Sequence, residues 1–249
     1  LGASVVVLEK NVRVGKKLLT TGNGRCNLTN ALAVPGDYFG ATGVMAGAMG
    51  AFPPAKVVAF FESLGLMCLE TRGNRVFPLC DQASAVLDVL RCAVEESGGE
   101  ILTGFEVRQI KKNGHFSLAD GDGREISAAH VIFATGGPAA PSAGGTDAGF
   151  PLFKQMRHRV TKLFPALTQL ETAPEPIRPL KGIRIDGAIT LYVDGRPAAS
   201  DRGDILFAEY GLSGTAAMAV SRFAAIALDE KKRVVASVSA LDMSHEAAL

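Results

Sequence analysis

An α/β fold built on a parallel sheet and carrying a second, strand-rich domain is predicted by three observations. Residues 4–8 (SVVVL) form a short, valine-rich apolar run ending at Glu9, the pattern of a buried parallel strand with a carboxylate at its end. Residues 130–137 (HVIFATGG) repeat that pattern and end in glycines. From about Thr168 onward, alternating strand-like runs replace the alternation of helix and strand.

In chain order, Leu1-Gly2 reads as a helix end at a C-cap glycine. The strand at 4–8 follows, and Glu9 stands where the second strand of a dinucleotide-binding βαβ unit carries its ribose-binding carboxylate. The first strand and its glycine-rich turn belong about 20 residues earlier in such a unit, so the chain is expected to lack them. Residues 15–30 (GKKLLTTGNGRCNLTN) form a polar, glycine-containing loop, with one helical turn at 16–19. Pro53-Pro54 and Gly65 bracket an amphipathic helix over 54–64. Residues 66–79 read as short strands around a turn at Gly73-Asn74. Over 82–97, Ala83, Val86, Leu87, Leu90 and Val94 make one apolar helical stripe, stopped by Gly98-Gly99.

Turn residues then separate strand-like segments at 100–102, 105–111, 115–119 and 125–127. The run at 130–137 reads as a buried strand, and 146–157 as a helix. Strand-like runs follow at 182–193, 196–200 and 204–207, then a helix over 211–228 and a strand over 233–239. Another helix begins at Ser244-His245-Glu246. The expected domains are 1–168, the cofactor-binding part, and 169–249, an inserted strand-rich substrate or cap domain, each incomplete.

Composition narrows the function. The 249 residues are 47% hydrophobic and 20% charged, enough to bury a core. A net charge of +1 gives no case for nucleic acid or an anionic membrane as partner. No apolar run approaches the roughly 20 residues that span a bilayer. Cys26, Cys68, Cys80 and Cys92 contain no C-x-x-C pair, which argues against zinc or a disulfide framework and fits a cytoplasmic protein. No metal site is expected.

Three segments carry the candidate chemistry. Glu9 supplies an ionised acceptor for a ribose diol, against the plain alternative of an exposed strand-end glutamate. In residues 20–30, Gly22 and Gly24 allow close backbone approach, Asn23, Asn27, Thr29 and Asn30 offer polar groups, and Arg25 can pair with a phosphate or carboxylate. Cys26 reads as a buried structural thiol, having no histidine nearby in sequence. The alternative for this stretch is a self-satisfied polar loop. In residues 131–137, Ala-Thr-Gly-Gly brings bare backbone to the carboxyl edge of a parallel sheet. His158 reads as a helix-end residue. His115, His130 and His245 need no functional role, and Asp186, Asp194 and Asp201 read as turn residues.

VVVLEK, GKKLLTTGNGRCNLTN, RVFPLCDQASAVLDVL, HVIFATGG with GGTDAGF, FPALTQL and LFAEYGLSG together resemble a bacterial FAD-binding flavoprotein family. It is the family of aminoacetone oxidases and of a bile-acid dehydro-steroid reductase. The resemblance implies an FAD-type, Rossmann-like dinucleotide-binding domain with an inserted strand-rich domain, and FAD as cofactor. It places Glu9 on the adenosine ribose, counts Lys10 among the cofactor-binding residues, and places Lys17, Gly24, Arg25, Cys26 and Asn27 along the pyrophosphate and flavin. Val107 would meet the adenine through its backbone, and Ala134, Thr135 and Gly136 would flank the cofactor. Gly211–Gly214 would open the helix of the inserted domain. The family's Thr-His before this segment is replaced by Ala208-Glu209-Tyr210, so no histidine role carries over. Its GSTGDG pattern is altered at Asp147 and Ala148.

The expected function is therefore a flavoprotein oxidoreductase. NAD(P)H, or a small amine or alcohol, would donate electrons, and an alkene-type small molecule or oxygen would accept them. No catalytic base is identified; Arg25 is the candidate for an electrostatic role. A nicotinamide-only reductase and a non-catalytic nucleotide-binding fragment are the alternatives. Without a glycine-rich turn to hold the pyrophosphate, the 249-residue chain is expected to bind FAD weakly or not at all. A tRNA-modifying flavoprotein is disfavoured by the near-neutral charge.

Overall fold

The computed structural model describes residues 2–40 and 42–240. The expectations for Leu1, for His245 and for a helix beginning at 244–246 lie outside the described residues. The chain divides into two compact units, Leu1–Val160 and Thr161–Leu249.

In the first unit the elements run β1 (Val6–Leu8), β2 (Thr29–Asn30), α1 (Thr42–Ala51), α2 (Pro54–Ser63), β3 (Cys68–Thr71), β4 (Arg75–Pro78) and α3 (Ala83–Glu96). Then come β5 (Glu100–Leu102), β6 (Gln109–Asn113), β7 (His115–Ala119), β8 (Glu125–Ala128) and α4 (Gly149–Gln155). β1 and β5 pair in parallel, with Val7 opposite Ile101. Two antiparallel sheets accompany them, in the orders β2-β4-β3 and β6-β7-β8. α3 forms where the apolar stripe predicts it and buries Ala83 and Val86 at 1% and 0% exposure. It ends in two crossed bonds, Gly99 N to Val94 O and Gly98 N to Glu95 O, which satisfy its last carbonyls.

Two expectations in this unit are corrected, and one helix is found where none was expected. Residues 130–137 are not a strand. Among the described residues β1 has β5 as its single ladder partner and the 130–137 run joins no ladder, and Ile132 stands 92% exposed. An apolar run becomes a parallel strand only against a neighbour that takes its N–H and C=O groups. The strand expected at 105–111 begins only at Gln109, which leaves Val107 outside the strand, ahead of the ladder. α1 was not expected. Gly43, Gly47 and Gly50 weaken its intrinsic preference and its apolar residues show no face, and none of its residues is buried. No single helix among the described residues is long and apolar enough to cross a membrane; α1 and α2 pass that test only together, bent by 47°.

The second unit contains β9 (Leu170–Glu171), β10 (Arg184–Val193), β11 (Arg196–Ala208), β12 (Gly211–Ser213), α5 (Thr215–Asp229) and β13 (Val234–Ser239). The sheet is antiparallel in the order β13-β10-β11-β12-β9. Ile189, Leu191, Ile205 and Leu212 from its strands join Ala216, Ala217, Val220 and Ala224 of α5 in one cluster. The alanines recur at helical spacing and present little bulk, so the helix lies close on the sheet. Ser221, 1% exposed, is satisfied locally: its hydroxyl donates to Met218 O (2.7 Å) and accepts from Thr168 N (3.1 Å).

The expected runs at 196–200 and 204–207 merge into β11. Gly211–Ser213 is a short strand paired on both sides, with β11 and β9, where a helix start was expected. Gly211 has φ +143, and a Cβ there would meet Leu170 O at 2.1 Å, so a glycine lets β9 and β12 pair this closely. The helix begins only after Gly214.

Candidate cofactor site

The carboxyl end of β1 fixes Glu9. Its N–H donates to Leu102 O and its C=O accepts from Phe105 N, both at 2.9 Å, so the strand ends stay paired beyond the ladder. Its side chain is anchored on one oxygen: Oε1 accepts from Asn11 N (2.7 Å) and Asn11 Nδ2 (2.6 Å). Oε2 has no partner among the described residues. A held carboxylate with one open oxygen at the end of a parallel strand fits the hydroxyls of a ribose. Lys10 follows, exposed. A cavity of about 1140 Å³ opens here, lined by Lys10, Asn11, Arg13, Lys16, Arg91 and Thr103 among others. Its one carboxylate, Glu95, pairs with Arg91 at 3.9 Å, so the cavity is electropositive.

The 15–30 loop is more occupied with itself than its composition predicts. Gly22, Asn23, Gly24 and Cys26 all have positive φ, at 55°, 56°, 81° and 61°. Cys26 is buried and packs with Leu66, Ala83 and Val86, which ties the loop to α3. Its backbone N–H donates to Thr21 O at 3.0 Å, closing the loop on itself. Asn27, with its amide nitrogen toward Thr29 O (2.8 Å) and Val76 O (3.2 Å), braces β2 against β4. Asn30 donates to Gly73 O. Arg25 lies 4.3 Å over the Phe77 ring, donates to Gly22 O and pairs with Asp81 at 3.7 Å. Its side chain is 43% exposed, so its outer face remains open to a ligand.

Residues 134–149 approach the same loop. Lys17 Nζ donates to Ala139 O at 2.7 Å, across 122 residues of sequence, with ammonium protons to spare. The Lys16 stem lies beside Gly144, where a Cβ would meet its Cδ at 3.5 Å. Thr135 presses on the start of α4, where a Cβ at Gly149 would meet its Oγ1 at 2.1 Å. Ala134, Thr135 and Gly136 are exposed. Leu8, Val107, Val131 and Phe133 pack against one core of Ile110, Leu118 and Leu152, so β1, the 105–111 segment and the 130–137 run meet there even though 130–137 is not a strand.

Asn11, Phe105 and the Lys17–Ala139 link escaped the sequence reading. For Asn11 a signal existed, since an Asn two residues after a carboxylate in a loop can cap it. Burial and then the Glu62 charge push the Cys68 thiol up, away from the thiolate form a nucleophile needs. Among the described residues no group of three His, Cys, Asp or Glu is placed to hold a metal ion.

A parallel strand pair with an anchored carboxylate at its end, faced by glycine-rich loops, defines a Rossmann-like dinucleotide-binding protein. The chain belongs to the HI0933-like Rossmann-domain family, which matches residues 1–236. It is 34% identical over 240 residues to the 3-dehydro-bile acid delta(4,6)-reductase of Clostridium scindens, covering 96% of this chain and 58% of that protein. It is 25% identical over 227 residues to the ribosomal RNA dihydrouridine synthase of Escherichia coli, covering 89% and 55%. The same enzyme of Haemophilus influenzae is 25% identical over 233 residues, covering 90% and 56%. The chain thus spans just over half the length of these relatives.

Proposed function

We propose that this chain forms the cofactor-binding part of an FAD-dependent oxidoreductase that reduces a carbon–carbon double bond in a small molecule, with NAD(P)H as electron donor. The observation that carries the proposal is Glu9: one carboxylate oxygen is held by Asn11 and the other is open, at the end of a parallel strand. The relatives' names agree in chemistry. One is a reductase of a delta(4,6) bile acid, and two form dihydrouridine; each is the reduction of a carbon–carbon double bond.

FAD, when bound, supplies the redox chemistry. The chain's own residues bind and orient. Glu9 Oε2 accepts from the ribose, and Lys10 sets positive charge beside it. Lys17 holds the 15–30 loop to the 134–149 segment and offers its remaining protons to the pyrophosphate. The open face of Arg25 presents a fixed cation toward developing negative charge. Thr135 and Gly136 offer side-chain hydroxyl and bare backbone at the cofactor's flank.

Ribosomal RNA is the second reading, favoured by the two synthases. Against it stands the net charge of +1, which offers little for a phosphate backbone. The test is purification of the full-length gene product, its visible spectrum, and NAD(P)H oxidation with a steroid dienone or with ribosomal RNA. A flavin spectrum with turnover on the dienone supports the proposal. Turnover on RNA alone moves it to the second reading, and a colourless protein that takes up no FAD overturns both.

A further inference from the structure

Among the described residues the β6-β7-β8 sheet shares no ladder with the β1–β5 pair, yet one side chain from its far turn grips the end of that pair. Arg124, the last residue of the turn before β8, donates from Nη2 to Gly104 O, 20 residues away. Its guanidinium lies 4.8 Å over the ring of Phe105, which is 3% exposed. The two gripped residues are those that hold the candidate ribose site. Gly104 N donates to Asn11 O (3.0 Å), Phe105 N donates to Glu9 O (2.9 Å), and Asn11 donates twice to Glu9 Oε1.

Behind Arg124 stands Asp120, its side chain only 2% exposed. One oxygen accepts Arg124 Nε at 2.5 Å; the other accepts Asp122 N and Arg124 N, each at 2.9 Å. Burial pushes this carboxyl up, but the side-chain and backbone bonds from Arg124, the backbone bond from Asp122 and the Arg124 charge together hold it below the ordinary carboxylate range. It therefore remains a fixed anion that aims the guanidinium. A turn needs only the two backbone bonds to close. The guanidinium's reach to Gly104 and Phe105 is additional, and it ends one hydrogen bond from both Glu9 and Asn11.

We propose that Asp120 and Arg124 are positioning residues for the adenosine end of the cofactor: the pair clamps the segment after β5, which in turn fixes Glu9 and Asn11 for the ribose. The proposal rests on the FAD reading above. Lysine cannot replace Arg124, because its single nitrogen cannot bond Asp120 and Gly104 along two fixed directions while stacking on Phe105.

The test uses the full-length protein stripped of cofactor, with FAD, FMN and ADP affinities and the melting temperature of the apoprotein measured side by side. Asp120→Asn and Arg124→Lys should each weaken FAD and ADP about tenfold, the scale of one charged hydrogen bond, and leave FMN, which has no adenosine, unchanged. Lys112→Ala, on the same sheet but over Phe116, should change none of the three. The clamp is overturned if FAD affinity is unchanged in both variants. It is equally overturned if FAD and FMN weaken together in step with the melting temperature, the signature of a purely structural role. A wild-type protein that takes up no FAD removes the FAD reading itself, a separate outcome from an intact FAD site indifferent to Arg124.

Discussion

The two units organise similar apolar material differently. The second gathers its buried side chains into one cluster between a five-stranded sheet and α5. The first, though longer, has two smaller clusters, one around Cys26 and Val86 and one around Ile110 and Leu152. Between its three small sheets it also relies on single long-range polar links such as Lys17–Ala139 and Arg124–Gly104. One core resists change through packing. A surface assembled from loops is arranged by hydrogen bonds, and the candidate cofactor site lies on such a surface.

Equal substitutions should therefore have unequal effects. The largest is expected at Ile189, fully buried in the second unit: Ile189→Ala should cost about 2–5 kcal/mol in denaturant unfolding of that unit. Gly211→Ala drives a Cβ into Leu170 O, so a loss of about 1–3 kcal/mol is expected in the same measurement. If either substitution is silent, the second unit is not held by packing.

The Asp120 contribution should show in pH dependence. Its folded pKa is depressed, so its stabilisation is fully present above the ordinary value of 3.8 and is lost as pH falls through the folded value. The stability difference between wild type and Asp120→Asn should be constant near neutral pH and shrink in acid below 3.8. A difference that grows in acid contradicts the sign. Smallest is Ile132→Ala in the 249-residue chain: at 92% exposure it should fall within about 0.5 kcal/mol of wild type. A large loss would show that Ile132 is packed.

What the sequence made legible follows the same division. Local periodicity locates α3, since its stripe is one face of one helix, and it locates β1, since Glu9 closes an apolar run. HVIFATGG is just as apolar, but a strand depends on its neighbour, and no single run reports its neighbour. The small residues of GLSG suit a helix start; the fit of Gly211 against Leu170 O, which lets it pair with β9 as a strand, depends on residues 41 positions apart in sequence. In the site, Glu9 was visible from its place at a strand end. The grip of Arg124 on Gly104 was not, because Asp120 and Arg124 look like any polar turn until the chain folds Phe105 beneath the guanidinium. The polar residues of the 15–30 loop pointed toward a ligand, yet Asn27 and Asn30 are spent on bracing the adjacent strands.

The central claim is that the open oxygen of Glu9 holds the ribose of FAD. It is tested most directly by titrating FAD into cofactor-free full-length protein, wild type and Glu9→Gln. The account predicts that wild type binds FAD and that the neutral isostere binds it roughly 10- to 100-fold more weakly, the loss of a hydrogen bond to a charged acceptor. Equal affinities in the two proteins would contradict it.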